Sequence, residues 1–304
     1  MDQLEGKVAV VTGSASGLGR AMAERFSQEG MTAVIADNRL AEAKQVANQI
    51  QRNGGRAVAI EVDVTQRESV ISLADRVDRE LGGTSVLVNN AGVVSYSPLL
   101  RPEERGWLWI IDVNLLGVVH GLQTFLPRML ASAQECHVVN TSSFAGVVGA
   151  AAIEGNRVRI GTRVPEEPVA MYGYMATKHA VVALSETLAG ELSGTRVGVS
   201  LLCPSHHENT GIFENSARYR PDAFGGPMTS EELRATVGDH ERRSSEARLA
   251  FTRYPSECAA RVVRAIREHH FYIFTHPESR AAVEKRFAEI RAGFDDASLF
   301  GEHV

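Results

Sequence analysis

The stretch "TGSASGLG", Thr12 to Gly19, follows an apolar run, Val8–Thr12, and opens a segment of helical period, Leu18–Gly30. Glycines 13, 17 and 19 permit a tight turn and close approach to the backbone. The helix start behind them offers free N–H groups and a positive dipole end, which suit a pyrophosphate. A glycine cluster alone is an ordinary strand-to-helix turn as often as a binding loop. Here an acid stands at the useful distance: Asp37 closes the next apolar run, eighteen residues after Gly19. A carboxylate there hydrogen-bonds adenosine ribose hydroxyls and repels a 2′-phosphate. The loop therefore reads as a dinucleotide site, with NAD favoured over NADP. Uncharged Ser16 offers no basic partner to an extra phosphate. Arg39 dissents, because a guanidinium can accommodate one; an exposed arginine at a helix start is the simpler reading.

Outward from this loop, short apolar runs alternate with helical segments. Strands are expected at Val8–Thr12, Ala33–Ala36, Ala57–Val62, Ser85–Val88, His137–Asn140 and Val197–Leu202. Helices are expected at Leu18–Gly30, Leu40–Asn53, Gln66–Leu81, Trp107–Ala133 and Tyr174–Leu192. The runs are rich in Val and Ala with little polar alternation, as in strands buried on both faces. Repeated strand–helix units predict an α/β fold: a doubly wound, Rossmann-like parallel sheet in a single domain over residues 1–304. Three segments break the rhythm. Residues 145–171 hold Gly, Arg and Pro. Residues 204–254 are loop-like, with a helix expected around Glu231–Ala247. Residues 271–304 begin as a strand, "FYIFT", followed by an amphipathic helix from near Pro277, a C-terminal extension.

The chain has 304 residues, a formal net charge of −5 and an ordinary globular composition, 44% hydrophobic and 23% charged. That balance argues against a nucleic-acid or anionic-membrane partner. The three cysteines, Cys136, Cys203 and Cys258, are far apart and odd in number, so neither a disulfide framework nor a zinc site is indicated. The N-terminal apolar run is too short for a signal or membrane segment, and a cytoplasmic location is expected.

The second informative stretch is "YGYMATK", Tyr172 to Lys178. Residues four apart share a helix face, so Tyr174 and Lys178 can point together, with Tyr172 before the helix or off that face. An ammonium near a phenol lowers its pKa, and such a tyrosine exchanges a proton with an alcohol or ketone. A lone Y-x-x-x-K matches often by chance. Here it follows Asp63-Val64, "NNAG" at Asn89–Gly92, "DVNLLG" around Asn114 and "NTSSFAG" around Ser142-Ser143, and it precedes Cys203-Pro204. In this order, over roughly residues 5 to 205, the sequence resembles the classical short-chain dehydrogenase/reductase family.

The resemblance implies NAD contacts from Gly13, Ser16, Gly17, Leu18, Gly19 and Asp37. Asp63 and Val64 would meet the adenine, and Asn90, Ala91 and Gly92 would line the cleft. Tyr174 would be the acid/base. Lys178 would hold the nicotinamide ribose and lower the tyrosine pKa. Ser143 would bind the substrate oxygen, with Ser142 facing away. Asn114 would hold a water linking Lys178 to solvent, or simply mark a helix kink. Pro204 and Thr210 would lie in the loop over the nicotinamide.

The implied activity is NAD-dependent interconversion of a secondary alcohol and a ketone, on a hydrophobic or aromatic small molecule. A non-catalytic NAD-binding regulator and an NADPH-dependent 3-ketoacyl-type reductase are the rivals. A homodimer or homotetramer is expected, without nucleic acid, membrane or metal. The chain departs from the family pattern in two places. An insertion lies within about residues 149–170, between Ser143 and Tyr174, and reads as a surface loop or a lid. After Pro204 stand Ser205, His206, His207 and Glu208, read as loop or pocket residues, with Phe213, Tyr219 and Phe224 as possible pocket walls.

Overall fold

The computed structural model describes residues 1, 3–95, 97, 98, 104–149, 169–229, 231 and 253–298. Seven parallel strands form one sheet: β1 (Val8–Thr12), β2 (Thr32–Asp37), β3 (Arg56–Glu61), β4 (Val86–Asn89), β5 (Cys136–Thr141), β6 (Val197–Cys203) and β7 (Tyr272–Phe274). Their spatial order is 3-2-1-4-5-6-7. The order reverses beside β1, so the crevice between the C-terminal ends of β1 and β4 is a topological switch point.

Helices cover both faces. On one side lie α1 (Gly17–Gln28), α2 (Leu40–Arg52) and α8 (Pro255–Glu268), with α8 packed on α1. On the other lie α3 (Arg67–Leu81), α5 (Gly117–Ala131) and α6 (Tyr172–Glu191). Side chains of β1 alternate between the two cores. Ala9 and Val11 join Phe26, Ile35 and Ile266; Val8 and Val10 join Leu73, Phe125 and Val181. Both faces being buried explains the unbroken apolar runs. Phe26 and Phe125 are fully buried, one per core, and truncating either to Ala costs about 3–5 kcal/mol.

Two differences from the sequence reading bear on the site. The expected helix Trp107–Ala133 is interrupted: α4 (Glu104–Ile111) passes into a π-helical turn, Asp112–Leu116, before α5 begins. Such a turn shifts the face by one residue, but this segment is apolar almost all round, so the shift leaves no readable break in the pattern. Helix α6 starts at Tyr172, two residues early, so both tyrosines lie in its first turn. The segment Arg105–Ala131 is long and apolar enough to cross a membrane by length and composition alone. Just over half of it is buried against the fold, as befits a core helix.

Beyond β6, a short helix α7 (Ile212–Arg218) precedes α8, and α9 (Arg280–Ser298) follows β7. The strand and helix expected in 271–294 are thus present. The expected helix Glu231–Ala247 and most of the insertion lie outside the described residues. The insertion's return is tied down by a two-residue antiparallel ribbon, Ser97–Pro98 with Val169–Ala170.

Candidate functional site

The phosphate loop is held open from beneath. Thr12 Oγ1 accepts the N–H groups of Asn90 and Ala91 at 3.0 and 3.1 Å. Asn90 Nδ2 donates back to the Thr12 carbonyl at 2.9 Å. Gly13 has φ +65°, and a Cβ there would fall 2.7 Å from Ala91 Cα. Gly17 has φ +56°, and its Cβ would fall 2.8 Å from the Thr210 carbonyl oxygen. Neither position tolerates a side chain, so the backbone stays bare where a pyrophosphate needs N–H groups. Leu18 turns its side chain to the core, and Gly19 is buried in the first turn of α1.

Asp37 ends β2 almost fully buried. Its Oδ2 accepts from Ala15 N at 2.9 Å; Oδ1 accepts from Arg39 N at 3.0 Å and Arg39 Nε at 3.2 Å. Arg39 also donates to Ser16 Oγ at 2.9 Å. The dissenting guanidinium is therefore committed to the acid beside it. Helix α7 closes over this end: Asn215 Nδ2 donates to Ser16 Oγ at 3.4 Å, and the Arg39 guanidinium lies 5.1 Å from the Tyr219 ring centre. Sequence reasoning missed this cover, because nothing in the spacing links positions 16 and 215.

Asp63 Oδ1 accepts both the N–H and the hydroxyl of Thr65, at 2.9 and 2.8 Å, which shapes the turn into α3. The Val64 carbonyl meets His120 Nδ1 at 2.9 Å, and the Val64 side chain abuts Gly117. The pair thus ties the turn after β3 to α5.

The second cluster gathers at the ends of β4 and β5. Lys178 and Asn114 are buried, Ser143 nearly so, and Tyr174 is half-buried. Lys178 Nζ donates to the Thr141 carbonyl at 2.9 Å. A Cβ on Gly92 would lie 3.4 Å from Asn114 Oδ1 and 3.5 Å from Lys178 Nζ, so that glycine leaves room for both. The Asn114 amide accepts from Val93 N at 2.8 Å and donates to Val93 O at 2.9 Å, which locks the π turn to the NNAG segment. Ser143 Oγ accepts from Ala145 N at 3.1 Å, lies 3.5 Å from the Pro204 carbonyl, and stands beside the Tyr174 phenol. Ser142 faces the other way and donates to the Lys178 carbonyl at 2.7 Å.

Burial sets the electrostatics of this cluster. It pushes the Tyr174 phenol up, against the opposing Ser143 hydrogen bond. It pulls the Lys178 ammonium down to about 8 and drives the neighbouring Cys203 thiol up to about 12. Burial, rather than the lysine, dominates the tyrosine. Behind the cluster runs a buried amide ladder that sequence reasoning also missed. Asn89 Nδ2 donates to Asn140 Oδ1 at 2.9 Å, and Asn140 Nδ2 to Ser185 Oγ at 3.0 Å. It pins β4, β5 and α6 in register. Its signal was a polar residue near the end of each of two otherwise apolar strands.

His207 is buried, with Nδ1 3.0 Å from the Ser205 carbonyl and its ring 5.3 Å from that of His276. Among the described residues no three His, Cys, Asp or Glu side chains converge on a metal-sized site.

Residues 7–155 match the family described as short chain dehydrogenase. The chain is 30% identical to a C alpha-dehydrogenase of Sphingobium sp. strain SYK-6, over 95% of this chain and 87% of that protein. The chain belongs to the short-chain dehydrogenase/reductase family. It is 32% identical to a (-)-trans-carveol dehydrogenase of Rhodococcus erythropolis, over 78% of this chain and 84% of that one. A short-chain dehydrogenase/reductase from Burkholderia phymatum, solved in complex with NAD, superposes with a TM-score of 0.81 at 34% identity. That match covers 96% of this chain and 97% of the other. As a short-chain dehydrogenase/reductase, the protein is an oxidoreductase acting on alcohols or ketones.

Proposed function

We propose that this enzyme uses NAD to interconvert a secondary alcohol and its ketone on a hydrophobic small molecule. The observation that carries the reading is the grouping of Ser143, Tyr174 and buried Lys178 beside a glycine loop whose Gly13 and Gly17 hold positive φ. NAD fits the residues present: the bare backbone at Gly13 and Gly17 takes the pyrophosphate, and Asp37 keeps lone pairs for ribose hydroxyls. Once bound, the nicotinamide supplies the hydride acceptor or donor.

The chain's own residues handle the oxygen and the proton. Ser143 Oγ holds the reacting oxygen in place. Tyr174 Oη takes the hydroxyl proton of an alcohol, or returns it to a ketone. Lys178 grips the nicotinamide ribose, and its charge favours phenolate once substrate and cofactor exclude water. The Asn114 side chain gives its Nδ2 protons to Val93 O and Thr177 Oγ1 and accepts from Val93 N, so we assign the water between Lys178 and solvent to the backbone of the π turn.

Hydrophobic substrates are favoured by the surroundings. Trp107 and Ile110 back Gly173, the residue between the two tyrosines. A relative named for (-)-trans-carveol points the same way. We further propose a homo-oligomer, supported by Leu108, Leu116 and Leu130, each more than a third exposed on one helical segment. A cytoplasmic location accords with three free, buried cysteines.

Purified protein with NAD+ and a panel of aryl, cyclic and aliphatic secondary alcohols, followed by NADH absorbance, tests the reading. Turnover of hydrophobic members is expected. Inactivity across the whole panel in both directions would favour the NAD-binding regulator.

A further inference from the structure

Ser143 is the N-cap of a three-residue 3-10 turn, Phe144–Gly146. Its Oγ accepts from Ala145 N, and its carbonyl accepts from Gly146 N at 2.9 Å. The Phe144 carbonyl accepts from Val147 N at 3.1 Å. So short a turn has little stability of its own and depends on what holds its ends. On the inner side it is wedged against α6, where a Cβ on Gly146 would fall 2.7 Å from the Lys178 carbonyl oxygen. At its start, Phe144 N donates to the Pro204 carbonyl at 2.8 Å. Its far end is closed by a residue from the other end of the chain. Arg286 Nη1, in the first half of α9, donates to the Val147 carbonyl at 2.8 Å. Ala282 and Val283, which share a helix face with Arg286, pack against the core that holds Phe144, Val147 and Val148.

We propose that Arg286 is a positioning residue for the reaction, capping at Val147 the turn that aims the Ser143 hydroxyl. An arginine is suited to this, because its N–H groups satisfy the carbonyl left over where a helical turn ends. The Ala145 N–H takes up one acceptor site of Ser143 Oγ and so sets the directions that remain for a substrate oxygen. Fraying from the Val147 end releases that N–H and lets the hydroxyl swing. The C-terminal extension thereby acts on the reacting oxygen without touching it. The consequence for turnover rests on the activity proposed above; the hold on the turn does not.

Arg286→Met in the full-length protein tests both, since it keeps the aliphatic stem and removes the donor. Hydrogen exchange across residues 142–148 should quicken at least about tenfold, with the rest of β5 unchanged. The kcat/KM for its best secondary alcohol should fall about tenfold, the scale expected for a slightly misplaced group, while NADH affinity is kept. Arg286→Lys, which still offers a donor, should recover most of both. In a Ser143→Ala background Arg286→Met should cost nothing further, because the hydroxyl it positions is gone. Unchanged exchange would overturn the hold on the turn. Unchanged kcat/KM, or a loss as large without the Ser143 hydroxyl as with it, would overturn the link to the reaction. A wild type inactive on every alcohol would remove the proposed activity and that link together, and exchange would still decide whether Arg286 holds the turn.

Discussion

Lys178 Nζ lies 5.7 Å from the centre of the Tyr174 ring and gives a hydrogen bond to the Thr141 carbonyl at the end of β5. The charge is therefore fixed to the sheet and not to the phenol. That distance keeps the ammonium within electrostatic reach of the tyrosine ring while its hydrogen bond goes to the sheet backbone.

Tyr174→Phe removes the transferable proton and should lower kcat by at least about 10²-fold, with NADH binding kept. Tyr172→Phe should change kcat little, although it shares the first turn of α6. Lys178→Met should leave the phenol higher, so the acidic limb of the oxidation pH profile moves to higher pH. A crippled Tyr172→Phe beside an active Tyr174→Phe would reverse the assignment.

Asp37→Ala should shift cofactor choice. The carboxylate holds Arg39 through Oδ1, and without it the guanidinium is free to meet a 2′-phosphate. The ratio of NADPH to NADH affinity, measured by fluorescence titration, should rise about tenfold or more. Tighter NADPH than NADH binding in the wild type would instead promote the 3-ketoacyl-type reductase reading.

The insertion should govern substrate access. Its ends leave the strand carrying Ser143 and return to the helix carrying Tyr174, and its return strand is clipped to Ser97–Pro98. Replacing residues 149–170 with a short turn should alter KM or substrate range and leave NAD affinity and assembly nearly unchanged. Unchanged kinetics on several substrates would reduce the segment to surface decoration, and lost assembly would make it a contact.

The parallel sheet was legible because its strands are buried on both faces, so Val8–Thr12 and Val197–Leu202 stand out as continuous apolar runs. The grouping of Ser143, Tyr174 and Lys178 was legible through the spacing of Tyr174 and Lys178 and the order of the motifs around them. The π turn at Asn114 was not, because the helix around it is apolar on nearly every face and a one-residue shift of phase leaves no mark. Nor were the contacts of Asn215 with Ser16, Lys178 with Thr141 or Asn89 with Asn140. Those depend on which loop ends the topology brings together, and no local pattern encodes that.

Acid stability should be set largely by two buried histidines. Burial lowers His137 to about 3, helped by the N-terminal ammonium and His269. Burial lowers His207 to about 4, partly opposed by its bond to the Ser205 carbonyl and by Glu257, with His276 and His206 adding to the depression. Their tautomers follow from their partners. Ser200 Oγ donates to the His270 carbonyl, so it accepts from His137 Nε2 at 2.8 Å. The Ser205 carbonyl can only accept, so His207 Nδ1 carries its proton. The remaining nitrogens, His137 Nδ1 and His207 Nε2, are buried without a hydrogen-bond partner among the described residues, and protonating either puts a charge where water cannot reach. Both folded values lie below the ordinary 6.5. As pH falls below that value, the unfolded chain takes up protons that the native state refuses. Stability is therefore full above pH 6.5 and is lost toward pH 4, at about 1.4 kcal/mol per pH unit for each histidine once inside the window. Urea denaturation at pH 7, 6 and 5 should show this loss. His137→Gln keeps a donor for Ser200 but cannot titrate, so it should flatten the slope by about one proton. An unaltered slope in His137→Gln would assign the acid sensitivity to groups other than this histidine.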